Sequence, residues 1–462
     1  MVVFSHIVMA VWIPTVLVLF AVLPSRRAVI VTFVAAWLFL PMASYELPFL
    51  PGYSKMTATC AGVFLSTLIF DVKRVVRFKP SWHDLPMALF CVSPFVSSLL
   101  NGLGAYDGAS EVVRNTIIWA TPYFIGRIYF NDSRGLRELA LGIFLGGLLY
   151  VPLCLFEVRM SPKLHNMIYG FAPRMVQVRF GGWRPSVFMD GGLQVAMWMA
   201  AASLVGVWLW KTGALRHVWG VSAIWLVAAV FVTTVLCRST GAFALLLLGL
   251  MVMWTTWRMN SRLALVGLLL VAPLYVALRS TAVWDGEPVV ALARMIGSDR
   301  AESLKFRLDN EDILAAKAFE QPWFGWGSWG RNRVYDEWGR DISITDGLWI
   351  IKFGQHGFAG LISWLAVMTM PLGLVTSRYL ARQSTSAYFA PALSLAVLVT
   401  LYSIDCLVNA MINPVFMLAG GGVVSFALVS HDAYEWATRG DSNAAPDNMR
   451  AGSIVPRRLY PS

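Results

Sequence analysis

The sequence predicts an all-α, polytopic transmembrane helical bundle of about 12–13 helices with one large loop outside the bilayer. Three observations predict it. Of 462 residues, 57% are hydrophobic and only 14% charged, with mean hydropathy +0.62; soluble domains do not have this balance. Apolar runs of spanning length recur along the chain. The connections between them alternate between short basic loops and loops that are either nearly uncharged or long.

The apolar runs lie at 3–23, 28–44, 56–72, 84–100, 112–130, 137–157, 188–209, 218–237, 241–257, 262–279, 344–376, 386–406 and 411–430. The first has no basic segment ahead of it and is long enough to span, so it is expected to remain as a helix rather than to be a cleaved signal. The run at 344–376 is long enough to begin as a tilted or partly external helix.

One set of connections carries Arg26 and Arg27; Lys73, Arg74, Arg77 and Lys79; Arg134 and Arg137; Lys211 and Arg216; Arg258 and Arg262; Arg378 and Arg382. The other set comprises 45–55, 101–110, 407–410, 158–187 and 281–343. Short basic loops stay cytoplasmic, whereas long loops translocate regardless of charge. The N-terminus and both long loops are therefore expected outside. The organisation expected is transmembrane helices over 1–280, including the outward loop 158–187; a periplasmic loop with an amphipathic helix over 281–343; C-terminal transmembrane helices over 344–430; and a polar, disordered cytoplasmic tail over 431–462.

Several function classes lose support at this level. A net charge of +11 in such a chain sets topology and meets anionic lipid, and does not imply nucleic acid. Cys60, Cys91, Cys154, Cys237 and Cys406 lie in or at the ends of apolar runs without metal-ligand spacing, and read as small packing residues. No cofactor or metal is called for. No internal repeat supports an inverted-repeat transporter.

Topology does not account for the cations of the outward loops: Arg159, Lys163, Arg174, Arg179 and Arg184, then Arg279, Arg294, Arg300, Lys305, Arg307, Lys317, Arg331, Arg333 and Arg340. Such a set suits an anionic substrate. Arg238, in CRSTGAF, sits between two spans. It either snorkels to the interface or grips phosphate oxygens through its planar fork. Arg307 belongs to a predicted amphipathic helix with Leu304, Leu308, Ile313 and Leu314 on its apolar face and Pro322 after its end. It either pairs with Asp309 or Glu311 or binds substrate. Asp309, Glu311 and Asp312 do not converge on one helix face, which argues against a metal site.

Trp323, Trp326, Trp329 and Trp338 stand among glycines; they read as an interfacial belt or as platforms for sugar rings. Asp346, in ITDGLW, lies where the chain re-enters the bilayer. A carboxylate there is a functional candidate, able to act as a general base on a hydroxyl, and it is equally placed to cap the next helix. His356 reads as a hydrogen-bonded packing residue deeper in that helix.

Four of these stretches, in this order, resemble the O-antigen ligase and polymerase superfamily. CRSTGAF (237–243) is similar to its Ser-Arg-small-small helix start. FRLDNEDILAAKAFEQPWFGWGSWG (306–330) is similar to its Arg-bearing helix followed by Pro, an apolar pair and Gly-x-Gly. TDGLWIIKFGQHGFAG (345–360) is similar to its re-entry helix, and RFGGWRPSVFMDGGLQVA (179–196) to its Arg-rich entry to an earlier span.

The resemblance implies a GT-C-like inner-membrane glycosyltransferase working on the periplasmic face, inverting and metal-independent. Its donor is a polyprenyl-diphosphate-linked glycan and its acceptor another glycan. A chain-length regulator or other polysaccharide-assembly proteins are implied as partners. Arg238 and Arg307, with Arg184, hold the diphosphate; Asp346 acts on the acceptor hydroxyl; Trp323, Trp326 and Trp329 are the stacking candidates. The ligase branch carries His, usually followed by Asn, where this chain has Asp346 and Gly347, and the polymerase branch more often has Asp. The expectation is therefore a polymerase of lipid-linked repeat units, with a ligase as the alternative and a lipid-linked sugar transporter behind both.

Overall fold

A computed structural model describes residues 2–47, 50–281, 284–327, 330–379, 381, 383 and 386–439. The described residues are mostly helical, and each of the expected apolar runs falls on a helix. The first part comprises α1 (Val2–Val22), α2 (Ser25–Phe39), a hairpin of β1 (Ser44–Leu47) and β2 (Leu50–Ser54), α3 (Lys55–Phe70), the short α4 (Val72–Arg77) and α5 (Leu85–Leu100). Next come α6 (Ala105–Asn115), a π-helical turn at Thr116–Ala120, α7 (Thr121–Tyr129), α8 (Ser133–Met160) and α9 (Leu164–Tyr169).

A two-residue-arm hairpin, β3 (Val178–Arg179) and β4 (Gly182–Trp183), precedes α10 (Gly192–Lys211). A second, β5 (His217–Val218) and β6 (Val221–Ser222), precedes α11 (Ala223–Leu236), α12 (Thr240–Met259) and α13 (Leu263–Ser280). The long connection contains α14 (Glu287–Ile296) and α15 (Ser298–Phe319), and α16 (Leu348–Arg378), α17 (Ala390–Val408) and α18 (Pro414–Arg439) follow. Among the described residues, 8 helices are long and apolar enough to cross a membrane, and Lys55–Phe70, Ala223–Leu236 and Pro414–Val429 are apolar but shorter.

α10 and α17 form the centre. Almost every residue of each is buried, as expected of helices that are apolar all round. α1 and α13 lie outside them and expose Val3, Ile7, Val11, Leu263, Leu270 and Leu274, the pattern of a lipid-facing surface.

The two classes of loop separate to opposite ends. At one end Arg26 pairs with Asp132 at 2.5 Å, Arg137 donates to the Ala214 carbonyl at 2.8 Å, and Arg262 to that of Ser377 at 3.5 Å. These contacts tie together the basic connections. At the other end Arg331 donates to the Asn101 carbonyl at 3.4 Å and Arg307 to that of Val408 at 3.0 Å, which joins connections from the nearly uncharged or long set.

Three expectations change. α18 continues to Arg439, past the expected start of the tail at 431; residues 440–462 lie outside the described set. Ile313 is 40% exposed instead of belonging to the apolar face of α15. That face runs through Leu308, Glu311, Ala315 and Ala318, all buried, and Ile313 lies about 200° around the helix from Glu311.

The long run near 344–376 starts at Leu348 and is broken at Gly357, which has φ 59° and ψ −162°. The freed backbone groups of α16 are taken up by the segment after α15. Trp326 N donates to Gly354 O at 2.9 Å, Gly327 N to Gln355 O at 3.0 Å, Phe358 N to Pro322 O at 2.7 Å and Ala359 N to Trp323 O at 3.1 Å. A side chain at Gly357 would strike the Trp323–Phe324 backbone, so the close approach and the positive φ both require glycine.

Candidate functional site

α15 is fixed against the bundle by a buried polar cluster. Arg279, at the end of α13, is 3% exposed; its Nε lies 3.3 Å from Glu311 Oε2 and its NH2 lies 2.8 Å from Asp312 Oδ1. Tyr275 donates to Glu311 Oε2 at 2.8 Å and Trp349 Nε1 to Glu311 Oε1 at 3.2 Å. Burial pushes the Glu311 carboxyl above its usual range, and the Tyr275 and Trp349 donors and Arg279 oppose that shift. Two of the three acids considered as metal ligands are thus ion-pair partners of an arginine. The sequence held this cluster in plain view, but its burial becomes visible only once α13, α15 and α16 are packed together.

One turn before Glu311, on the same face, Arg307 reaches the junction of α16 and α17. Its Nε lies 3.3 Å from Asp346 Oδ2, and its NH1 donates to Val408 O at 3.0 Å and Asn409 Oδ1 at 3.3 Å. Arg307 therefore pairs with Asp346, 39 residues away in the chain, and not with Asp309 or Glu311. Asp346 does not cap α16: the N-cap is Gly347, with no side-chain bond. The Asp346 side chain keeps 40% of its surface exposed and that of Arg307 25%.

Behind this pair lies a residue that sequence reading missed. Asn409 Nδ2 donates to Asp405 Oδ1 at 2.8 Å, and Asp405 is 5% exposed. Its Oδ2 is buried without a hydrogen-bond donor among the described residues. The available signal was a carboxylate within the apolar run 386–406.

Arg184 is 5% exposed and donates from NH1 to Gln177 Oε1 at 3.3 Å. It directly follows β4, and Arg238 grips the same hairpin. Arg238 has φ 55° and donates from NH1 to Arg179 O at 2.8 Å and to Phe180 O. Its guanidinium lies against Gly182, where any side chain would collide with it. The structure thus links Asp346, Arg307, Asn409 and Asp405 by successive contacts, while Arg238 holds the hairpin that Arg184 directly follows.

The tryptophans divide. Trp326 is half-buried; its Nε1 donates to Lys317 O at 2.8 Å and Lys317 Nζ sits 3.8 Å from its ring centroid. Trp323 is 71% exposed and edge-on to Phe358. Trp329 lies outside the described residues. His356 is 2% exposed and edge-on to Phe90, and among the described residues neither ring nitrogen has a hydrogen-bond partner; it is a packing residue.

No protein-family model matches the chain, and no curated protein is similar enough to count as a relative.

Proposed function

We propose that this membrane protein is a glycosyltransferase that polymerises polyprenyl-diphosphate-linked oligosaccharide repeat units, by inverting, metal-independent transfer on the periplasmic face of a bacterial inner membrane. The observation that carries the proposal is the Arg307–Asp346 pair, 3.3 Å apart and part-exposed at the loop end of the bundle. Anion-binding fork and candidate base occupy one spot beside a lipid-facing surface, where a lipid-linked diphosphate arrives.

The reaction follows from that pairing. In the free protein Asp346 neutralises Arg307. A donor diphosphate competes for the guanidinium, with bidentate bonds that suit Arg better than Lys. That releases Asp346 to accept the proton of an acceptor sugar hydroxyl. The hydroxyl oxygen forms a bond to the anomeric carbon as the carbon–oxygen bond to the diphosphate breaks, with inversion. Negative charge developing on the departing polyprenyl diphosphate is stabilised by Arg307 and by Arg184. Arg238 supports this by fixing the 178–183 hairpin. Asn409 and Asp405 orient Arg307 from behind.

A second reading, transport of lipid-linked sugar, draws support from the break of α16 at Gly357 near buried Lys352 and His356, because broken helices and buried charge suit transporters. The break is filled by residues 322–327, which favours a static structural role. Glycan gels from cells lacking the protein separate the readings. Loss of a polymerase leaves single repeat units on the acceptor. Loss of a ligase leaves polymer on the carrier lipid, and loss of a transporter leaves neither outside the cell.

A further inference from the structure

An open cleft of about 590 Å³ runs between the C-terminal half of α15 and residues 331–335. That volume lies in the range of small-ligand sites. Its rim carries three cations, Lys317, Arg331 and Arg333, against one carboxylate, Glu320. Lys317 is matched by Glu320 at 2.6 Å, and Arg333 pairs with Asp341. Arg331 has no acidic partner among the described residues and makes one 3.4 Å bond to the Asn101 carbonyl. Tyr335 is 49% exposed and is pinned by its hydroxyl to Gly330 O at 3.0 Å, which leaves a fixed aromatic face on the cleft.

The cleft is tied to the segment that carries Asp346. Arg333 NH2 donates to Thr345 Oγ1 at 3.2 Å, and Thr345 directly precedes Asp346. Arg333 is thus shared between the cleft and that segment.

We propose that this cleft is the acceptor subsite and that it takes an acidic saccharide, with a sugar carboxylate on Arg331 and a ring face on Tyr335. The assignment to an acceptor rests on the transferase reading above; the preference for an acidic saccharide rests on the cleft alone. A neutral sugar leaves the excess positive charge unanswered, whereas a uronate matches the Arg fork with two parallel bonds, and aromatic faces suit sugar rings in either case. The groups are solvent-exposed, so binding weakens as salt rises.

The test is binding of trigalacturonate and of maltotriose to the purified full chain in phosphatidylcholine nanodiscs at low salt, with no donor present. The expected result is trigalacturonate binding at least about tenfold tighter than maltotriose, reduced about tenfold or more in Arg331→Glu and about fivefold in the neutral Arg331→Gln. Equal binding of the two sugars, no binding of either, or no effect of both variants overturns the proposal. Loss of trigalacturonate binding in phosphatidylglycerol nanodiscs also overturns it, by assigning the cleft to a lipid headgroup. In a separate assay with polyprenyl-diphosphate-linked donor added, trigalacturonate binding without any transfer refutes the transferase reading and leaves the anionic subsite standing. Transfer to neutral acceptors as fast as to acidic ones does the reverse.

Discussion

Arg307 Nε lies 3.3 Å from Asp346 Oδ2, joining helix α15 to the start of α16. The same guanidinium reaches Val408 and Asn409 at the end of α17. One side chain thus brings together three segments that the linear sequence keeps up to 102 residues apart. In the proposed reaction that bond is a resting contact, and the donor diphosphate breaks it.

Asp346→Asn removes the base and keeps the shape. We expect transfer to fall by about 10²–10⁴-fold while the protein still accumulates in the membrane, measured as polymer length against protein level. His356→Leu, in contrast, replaces a buried imidazole without hydrogen-bond partners among the described residues, and turnover should stay close to that of the wild type. Unchanged polymer length in Asp346→Asn removes Asp346 from catalysis.

The two arginines of the resemblance should fail differently. Arg307→Ala loses transition-state stabilisation, with turnover falling about 10²–10³-fold and protease sensitivity unchanged. Arg238 spends its NH1 on the Arg179 and Phe180 carbonyls. Arg238→Ala should therefore free the hairpin, so that limited proteolysis gains a cut within 178–183 as donor affinity drops. Identical proteolysis patterns for the two variants would remove the positioning role of Arg238.

The site was only partly legible in the sequence. Hydropathy and loop charge gave the helices and their separation into two ends, because both are local properties of the chain. The motifs picked out Arg238, Arg307 and Asp346. What each arginine touches was not legible. Arg307 had two acids within four residues on its own helix, yet the buried face of α15 turned Glu311 towards Arg279 and left Arg307 to Asp346. Arg238 looked like a phosphate ligand, and its NH1 is bonded to a backbone turn that no motif announced. Asp405 was hidden within an apolar run, and its bond to Asn409 depends on how α17 ends. The glycines of 325–327 suggested room for tryptophans to stack; their place against the broken helix depends on Gly357, whose positive φ no periodicity shows.

Gly357→Ala forces a side chain into positive φ and against the Trp323–Phe324 backbone. The cost is about 1–3 kcal/mol from the backbone conformation, before the collision is counted. We expect a lower melting temperature in detergent and reduced accumulation. Ala359, one turn position into the second half of α16, makes an ordinary helical control, and Ala359→Gly should cost only about 1 kcal/mol.

Acid should loosen the 158–187 loop through His165. Nδ1 bonds the Phe171 carbonyl at 2.7 Å and Nε2 accepts from Met42 N at 3.1 Å, an arrangement that only the neutral ring satisfies. Burial lowers its pKa below the usual value, opposed by the Phe171 bond. The folded protein thus binds fewer protons here than the unfolded chain. This contribution to stability is complete above pH ~6.5 and is lost as pH falls through the lowered folded value. Melting temperature should fall across that window, and His165→Asn should flatten the slope. Equal slopes for both proteins would exclude His165 as the source.

The central claim is tested most directly by incubating the purified protein with a polyprenyl-diphosphate-linked oligosaccharide, without metal ions or other proteins. Product length and free polyprenyl diphosphate are then followed together. The account predicts glycan lengthened by whole repeat units, one polyprenyl diphosphate released per bond formed, and loss of both in Asp346→Asn and Arg307→Ala. Donor that is bound or moved across a vesicle membrane with its length and its diphosphate linkage unchanged would contradict it.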